Sequence, residues 1–324
     1  MTLRPKPLTL DGGTDHTGKG GRQMISKRHE ICARETALQL IKELRIGKGA
    51  NGPTLGFILG TGWEESLLFD EPPNEVLLEN LHGFHEPMKT SLGHSPKVVF
   101  GLVCGVPIIA QIGRVHLSDP PADRGVQDMV RLQAEMLIHL GVQRLVLACG
   151  AGRTDDVFSA DNATHETREI LTGDVVLING FLTAFAQNLP GFSSERGSPD
   201  LTINWALYQH ILAYATESPQ FRKRLHTGGY AMITGPYWEG RYDRSLLGLS
   251  QVGVKAIGFG LLPEACTASL YRASKGVSTL SIALIINAAE RGETVDTPEI
   301  TETKKLLPSL FRFLIRNSIA NHAR

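Results

Sequence analysis

Short apolar runs alternate along this chain with longer stretches of helical spacing, and that alternation restricts the fold more than any other feature. Thr54 to Leu59, Leu145 to Ala148, Asp174 to Ile178, Tyr230 to Ile233, Ala256 to Phe259 and Thr279 to Ile286 read as buried strands. Between them, Glu30 to Leu44 places Ile31, Ala37, Leu38, Ile41 and Leu44 near one helical stripe. Val126, Met129, Val130, Gln133, Met136, Leu137 and Leu140 trace a second stripe, with Gly141 where a C-cap belongs. Further helices are expected over Trp205 to Thr216, Arg241 to Gln251 and Pro263 to Lys275, and from about Leu310 to the end. The expected fold is α/β with a largely parallel sheet, and a hairpin of Lys97 to Val103 and Val106 to Ile112 about Cys104-Gly105 makes that sheet mixed.

A chain of 324 residues can bury a large core. Residues 1–27 are polar and rich in Gly, Thr and Lys/Arg, so they read as a flexible arm, and 28–324 as one domain. Asn188 to Asp200 reads as a long surface loop. Lys plus Arg equals Asp plus Glu at 33 each, which leaves no net field to draw nucleic acid or a membrane surface. No apolar run reaches the roughly 18 to 20 residues of a membrane span, and the N-terminus carries no secretory h-region. Cys32, Cys104, Cys149 and Cys266 are far apart and form no C-x-x-C pair. That spacing argues against a zinc site or a disulfide framework and fits a reducing cytoplasm.

Candidate site residues cluster where strands end, the usual place for ligands in open α/β sheets. Gly60-Thr61-Gly62 follows a strand; its glycines let backbone N–H groups approach an anion, and Thr61 adds a hydroxyl. An ordinary tight turn fits the same residues. Gly113-Arg114-Val115-His116 follows the hairpin, and strand alternation would put Arg114 and His116 on one face. The plainer alternative pairs them with Asp119 or Asp123 at an exposed strand end. His94 lies in a Gly93-His94-Ser95-Pro96 turn and could add a donor or be a loop residue. Cys149-Gly150-Ala151-Gly152 supplies further backbone donors or is a glycine-rich turn, with Cys149 a small buried hydrophobe. Gly235-Pro236-Tyr237-Trp238-Glu239 offers two aromatic rings and a carboxylate to a flat heterocycle, or simply opens a helix with a favourable Glu. Asn287 ends an apolar strand, where its amide reads a heterocycle edge or caps the strand.

Taken in order, Ile58-Leu59-Gly60-Thr61-Gly62, Gly93-His94, Gly113-Arg114-Val115-His116, Leu140-Gly141-Val142, Ala151-Gly152, Gly173-Asp174, Gly235 to Glu239, Gly258-Phe259-Gly260-Leu261-Leu262-Pro263-Glu264 and Asn287 form a specific series. Over about Phe57 to Asn287 the chain resembles the trimeric family of purine nucleoside phosphorylases, which includes methylthioadenosine phosphorylases. The resemblance implies a mixed sheet partly closed into a barrel, flanked by helices and assembled as a homotrimer. It implies that Thr61, His94, Arg114, His116 and the backbone of Gly150 and Ala151 hold phosphate. Trp238 and Phe259 would line base and ribose, Glu239 would hold the purine N1 edge, and Asn287 would address N7. His116, Glu239 and Asn287 are the expected catalytic residues, with inorganic phosphate as co-substrate and no metal or organic cofactor.

The chain departs from the family pattern at several positions. Cys149 stands where the family usually has Asn, Ser118 where it commonly has Tyr, and Ala288 where it has Lys or another polar residue. Gly260 stands where the family usually has a Ser phosphate ligand, and near Ile300 and Thr301 there is no match for the His that contacts the ribose 5′-hydroxyl in nucleoside-specific members. The implied reaction is phosphorolysis of purine (deoxy)ribonucleosides, 6-oxopurines favoured because their N1–H donates to a carboxylate. The alternatives are a hydrolase or methylthioadenosine phosphorylase of the same fold, or a purine-binding protein without turnover.

Overall fold

The computed structural model describes residues 27–47, 52–84, 95–117, 119, 124–154, 170–183, 197–233, 243, 253–287 and 297–320. The expected arm, the Arg241 to Gln251 helix (except Asp243) and most of the Asn188 to Asp200 segment lie outside these residues.

Nine strands are described: β1 (Leu55–Leu59), β2 (Asn74–Leu77), β3 (Lys97–Val103), β4 (Val106–Ile112), β5 (Arg144–Arg153), β6 (Val175–Leu182), β7 (Leu225–Met232), β8 (Val254–Gly258) and β9 (Ser278–Asn287). Their order is β2-β3-β4-β1-β5-β8-β7-β6-β9, and β5 also pairs with β9. The second pairing closes β5, β8, β7, β6 and β9 into a five-strand barrel, while β2, β3, β4 and β1 extend from it as a sheet. The β1–β4, β1–β5, β5–β9, β6–β7 and β7–β8 pairs are parallel; β2–β3, β3–β4, β5–β8 and β6–β9 are antiparallel. The fold is therefore the mixed, partly barrelled sheet expected from the sequence.

β5 departs most from its reading. A strand stopping at Ala148 with a glycine-rich turn behind it is expected, but the strand runs through Cys149-Gly150-Ala151-Gly152 to Arg153. The reason is tertiary: Cys149, Gly150 and Ala151 pair with Ala283, Leu284 and Ile285 of β9, and Gly152 and Arg153 pair with Ile257 and Ala256 of β8. Bare glycine is what lets a neighbour approach here. A Cβ at Gly150 would meet the Ile286 side chain at 2.5 Å and the Thr61 carbonyl oxygen at 3.2 Å.

The hairpin appears where expected, and Cys104 (φ 54) and Gly105 (φ 74) both take the left-handed conformation that suits a two-residue turn. Helices α1 (Lys27–Glu43), α2 (Arg124–Leu140), α3 (Trp205–Glu217), α4 (Pro219–Arg222) and α5 (Leu262–Lys275) flank the sheet. Gly141, at φ 114, follows α2, and its N–H donates to the Ile138 carbonyl. The C-terminal helix expected from about Leu310 is α7 (Leu307–Ala320), and an unexpected short helix, α6 (Pro298–Lys304), precedes it. Pro308 explains the break, because a proline cannot join an α-helix that continues from the preceding turn. Among the described residues, no helix is long and apolar enough to cross a membrane.

Two large apolar clusters sandwich the sheet. One gathers Leu40, Ile58, Met136, Leu147 and Ile285 beneath α1, α2 and α5. The other gathers Phe57, Trp63, Val146, Ile282 and Phe311 beneath α3 and α7.

Candidate active site

Three glycine-bearing backbone segments converge where the extension sheet joins the barrel. The first is the turn after β1. Gly60 N donates to the Ala148 carbonyl at 2.8 Å and Trp63 N to the Gly60 carbonyl at 3.0 Å. Gly62 takes φ 88, and its N–H donates to Glu64 Oε2 at 2.7 Å. Trp63 anchors the turn from below: its ring is fully buried, stacks on Phe311 at 5.5 Å, and donates Nε1–H to the Cys149 carbonyl at 2.9 Å. Thr61 is thereby held half-buried between two fixed points.

The second segment is β5 at Gly150, against the Thr61 carbonyl as described above. The third is the β8–α5 junction. A Cβ at Gly258 would lie 3.5 Å from the Gly150 carbonyl oxygen, so this backbone too runs close to β5. Leu261 then adopts φ 67, ψ −51, and Leu262 N donates to the Gly260 carbonyl at 2.9 Å. That is a γ-turn of the strained, positive-φ kind, rare for a residue with a side chain and characteristic of functional sites.

Arg114 lies at the centre. Gly113, at φ 78, ends β4 and hands its N–H to the Leu59 carbonyl at 2.8 Å. Residues 114 to 116 lie beyond β4, and Arg114 and His116 take different partners. Arg114 enters the interior, 1% exposed; its Nη2 donates to the Ile58 carbonyl at 3.1 Å and the Ala148 carbonyl at 2.6 Å. Nη1 donates to Glu264 Oε1 at 3.1 Å, and that carboxylate is also 1% exposed. The partner is thus Glu264 of α5, and neither Asp119 nor an exposed strand end.

His116 contacts Phe259 and Asp119. Its ring, 20% exposed, lies edge-on to Phe259 with centroids 6.4 Å apart, and its Nδ1 is 3.5 Å from Asp119 Oδ2. The same Asp119 oxygen accepts the His116 backbone N–H at 2.8 Å. Gln133 of α2 pins the intervening residue: its Oε1 accepts Val115 N–H at 2.7 Å and its Nε2 donates to the Val115 carbonyl at 3.0 Å. Two of these supports were not assigned roles from sequence. Gln133 had a signal, a polar residue on an apolar stripe. Glu264 had only its place in a motif.

Cys149 is buried beside Arg114, and burial pushes its thiol up to about 11 while the neighbouring guanidinium pulls the other way. It is the small buried side chain expected, not a thiolate nucleophile. Burial first, and the adjacent Cys149 second, also raise the Tyr230 phenol well above its ordinary value.

The structure therefore brings Thr61, Arg114, Gly150, Ala151 and Gly260 into one cluster, with His116 and Phe259 on its flank. Asn287 closes β9 opposite Gly152, which puts its backbone at the same sheet end; its side chain, with His94, Trp238 and Glu239, lies outside the described residues. Hydroxyl, imidazole, guanidinium and close-approach backbone in one place suit an anion.

No family profile matches the chain. It is 28% identical over 279 residues to purine nucleoside phosphorylase 1 of Bacillus subtilis (strain 168), covering 83% of this chain and 93% of that protein. It is 24% identical over 302 residues to purine nucleoside phosphorylase 1 of Geobacillus stearothermophilus, covering 90% and 97%. Among solved structures, Schistosoma mansoni purine nucleoside phosphorylase in complex with acetate superposes with TM-score 0.66 at 20% identity, covering 88% of this chain and 95% of that one. Isoform 2 from the same organism, in complex with cytosine and ribose-1-phosphate, gives TM-score 0.65 at 22% identity over 89% and 95%.

Proposed function

We infer that this chain, a divergent member of the purine nucleoside phosphorylase family, cleaves purine (deoxy)ribonucleosides with phosphate to give free base and (deoxy)ribose 1-phosphate. The observation that carries the reading is the convergence of the Gly60, Gly150 and Gly260 backbones around Thr61 and Arg114. Gly60 and Gly260 let the Arg114 side chain lie against two backbones at once, and Gly150 brings a third against the Thr61 carbonyl, which gathers a cation and close-approach backbone where an oxyanion can use both.

In this reading phosphate attacks the ribose C1′ as the purine leaves, through a transition state of oxocarbenium character. Thr61, Arg114, His116, His94 and the backbone at Gly150 and Ala151 hold the anion in line, which removes much of the entropic barrier. Trp238 and Phe259 line the base and ribose. Glu239 and Asn287 take up charge as it grows on the departing base. A 6-oxopurine suits Glu239 best, since its N1–H donates to the carboxylate. The protein acts in the cytoplasm as a homotrimer of single-domain subunits, with no cofactor beyond phosphate. The test is a panel of inosine, guanosine, adenosine, xanthosine and methylthioadenosine with and without phosphate: the reading expects phosphate-dependent base release, strongest on inosine or guanosine.

A second reading, hydrolysis with water as acceptor, draws on one observation. Arg114 already holds a buried carboxylate, and Gly260 offers no hydroxyl. Base release undiminished after phosphate is stripped would favour it.

A further inference from the structure

Glu264 reaches Arg114 across a space that exists only because residue 260 has no side chain. A Cβ at Gly260 would overlap Arg114 Nη1 and lie 3.1 Å from its Cδ and 3.3 Å from its Cζ. Of the five N–H donors of the guanidinium, both on Nη2 are engaged by the Ile58 and Ala148 carbonyls and one on Nη1 by Glu264. Arg114 Nε and Glu264 Oε2 are buried without a hydrogen-bond partner. A buried ion pair satisfied on one side only is held at a cost in desolvation, and such a pair has something to gain from rearranging.

We propose that Glu264 is a positioning residue that competes with phosphate for Arg114, and that Gly260 makes the competition possible by leaving the guanidinium room to lie against α5. The proposal rests on the phosphorolysis reading for its choice of anion. Arg114 is the one described cation in the glycine cluster, and an oxyanion beside Thr61 gains its full charge-assisted hydrogen bonding only if the guanidinium turns from Glu264 toward it. Any side chain at position 260 pushes the guanidinium out of its berth against α5. The backbone itself is not strained by the change, because Gly260 has no positive φ, so the cost falls on the Arg114 side chain.

The experiment uses the full chain, Gly260→Ala and Glu264→Gln, and measures the phosphate KM, the inosine KM, kcat, and the rise in Tm on adding inorganic phosphate. A freed charge-assisted hydrogen bond corresponds to a change on the order of tenfold in affinity. Both variants are expected to lower the phosphate KM by about that factor, with a much smaller change in the inosine KM, and to increase the phosphate-induced rise in Tm. An unchanged or raised phosphate KM in Gly260→Ala overturns the proposal, as does a change confined to kcat. Should Glu264→Gln fail to fold, because it leaves a buried guanidinium without its counter-charge, Gly260→Ala decides alone. Absence of phosphorolysis by the parental chain on every nucleoside would refute the phosphorolysis reading instead, and the competition would then stand or fall on the Tm response to phosphate.

Discussion

Two buried Arg–Glu pairs in this molecule look alike and are held in different ways. Arg131 and Glu135 lie four residues apart on α2, fully buried, with Nε to Oε1 at 2.7 Å. The Tyr271 hydroxyl of α5 donates to the same carboxylate oxygen at 2.9 Å, so two helices are clamped by one shared acceptor. Arg114 and Glu264 are equally dry, but 150 residues apart and at 3.1 Å. The first pair is local, short and reinforced by a neighbouring helix. The second is long-range, looser, and placed among glycines that keep its surroundings bare. The two pairs differ in sequence separation, in distance and in whether a third side chain reinforces the carboxylate.

The contrast can be broken most sharply by Glu135→Ala. Leaving Arg131 buried without its carboxylate should cost roughly 3 to 5 kcal/mol, read from denaturant unfolding, while the folded fraction keeps its turnover. A comparable loss of activity per folded molecule would show that the α2 pair also serves the site. Arg114→Met likewise strips a buried carboxylate of its counter-charge and should cost stability, but base release per folded molecule should also fall by about 10² to 10³ at fixed phosphate; a loss of less than severalfold would make this pair structural too. Tyr271→Phe removes one donor to a charged acceptor and should cost about 1.5 to 3 kcal/mol, again in denaturant unfolding, with no effect on phosphate KM.

His139 sharpens the same region through pH. Its ring meets Tyr271 edge-on at 5.4 Å, and burial, aided by Lys275 and Arg34, lowers it to about 4 from an ordinary 6.5. The folded protein therefore favours the neutral ring, and the unfolded chain binds more protons between those values. The His139 contribution is complete above pH 6.5 and is lost as pH falls toward about 4. His139→Gln should flatten the decline of Tm over that window; an unaltered decline would remove His139 from the account. The smallest effect expected is that of Cys149→Ala, which should leave turnover within severalfold because a thiol at about 11 is not ionised at neutral pH. Near-complete inactivation would restore Cys149 as a reacting group.

The alternation of strands and helices was legible in the sequence because each element carries its own period, and the hairpin at Cys104-Gly105 because its turn is local. What could not be read depends on distant partners. The continuation of β5 through Cys149 to Arg153 exists because β8 and β9 pair with it, and no periodicity within Gly150-Ala151-Gly152 announces that. Thr61 and Arg114 could be picked out by residue type and Gly260 by the family resemblance, and Arg114 lies against both Gly60 and Gly260. The partner of Arg114 could not, since it is a carboxylate 150 residues away.

The account depends most on phosphate as the acceptor. Incubation of the phosphate-stripped protein with inosine, followed by titration with inorganic phosphate, measures this directly. Hypoxanthine release that rises with phosphate from near zero, with ribose 1-phosphate formed in equal amount, is the predicted result. Release of hypoxanthine at full rate without phosphate, with free ribose as the other product, would contradict it.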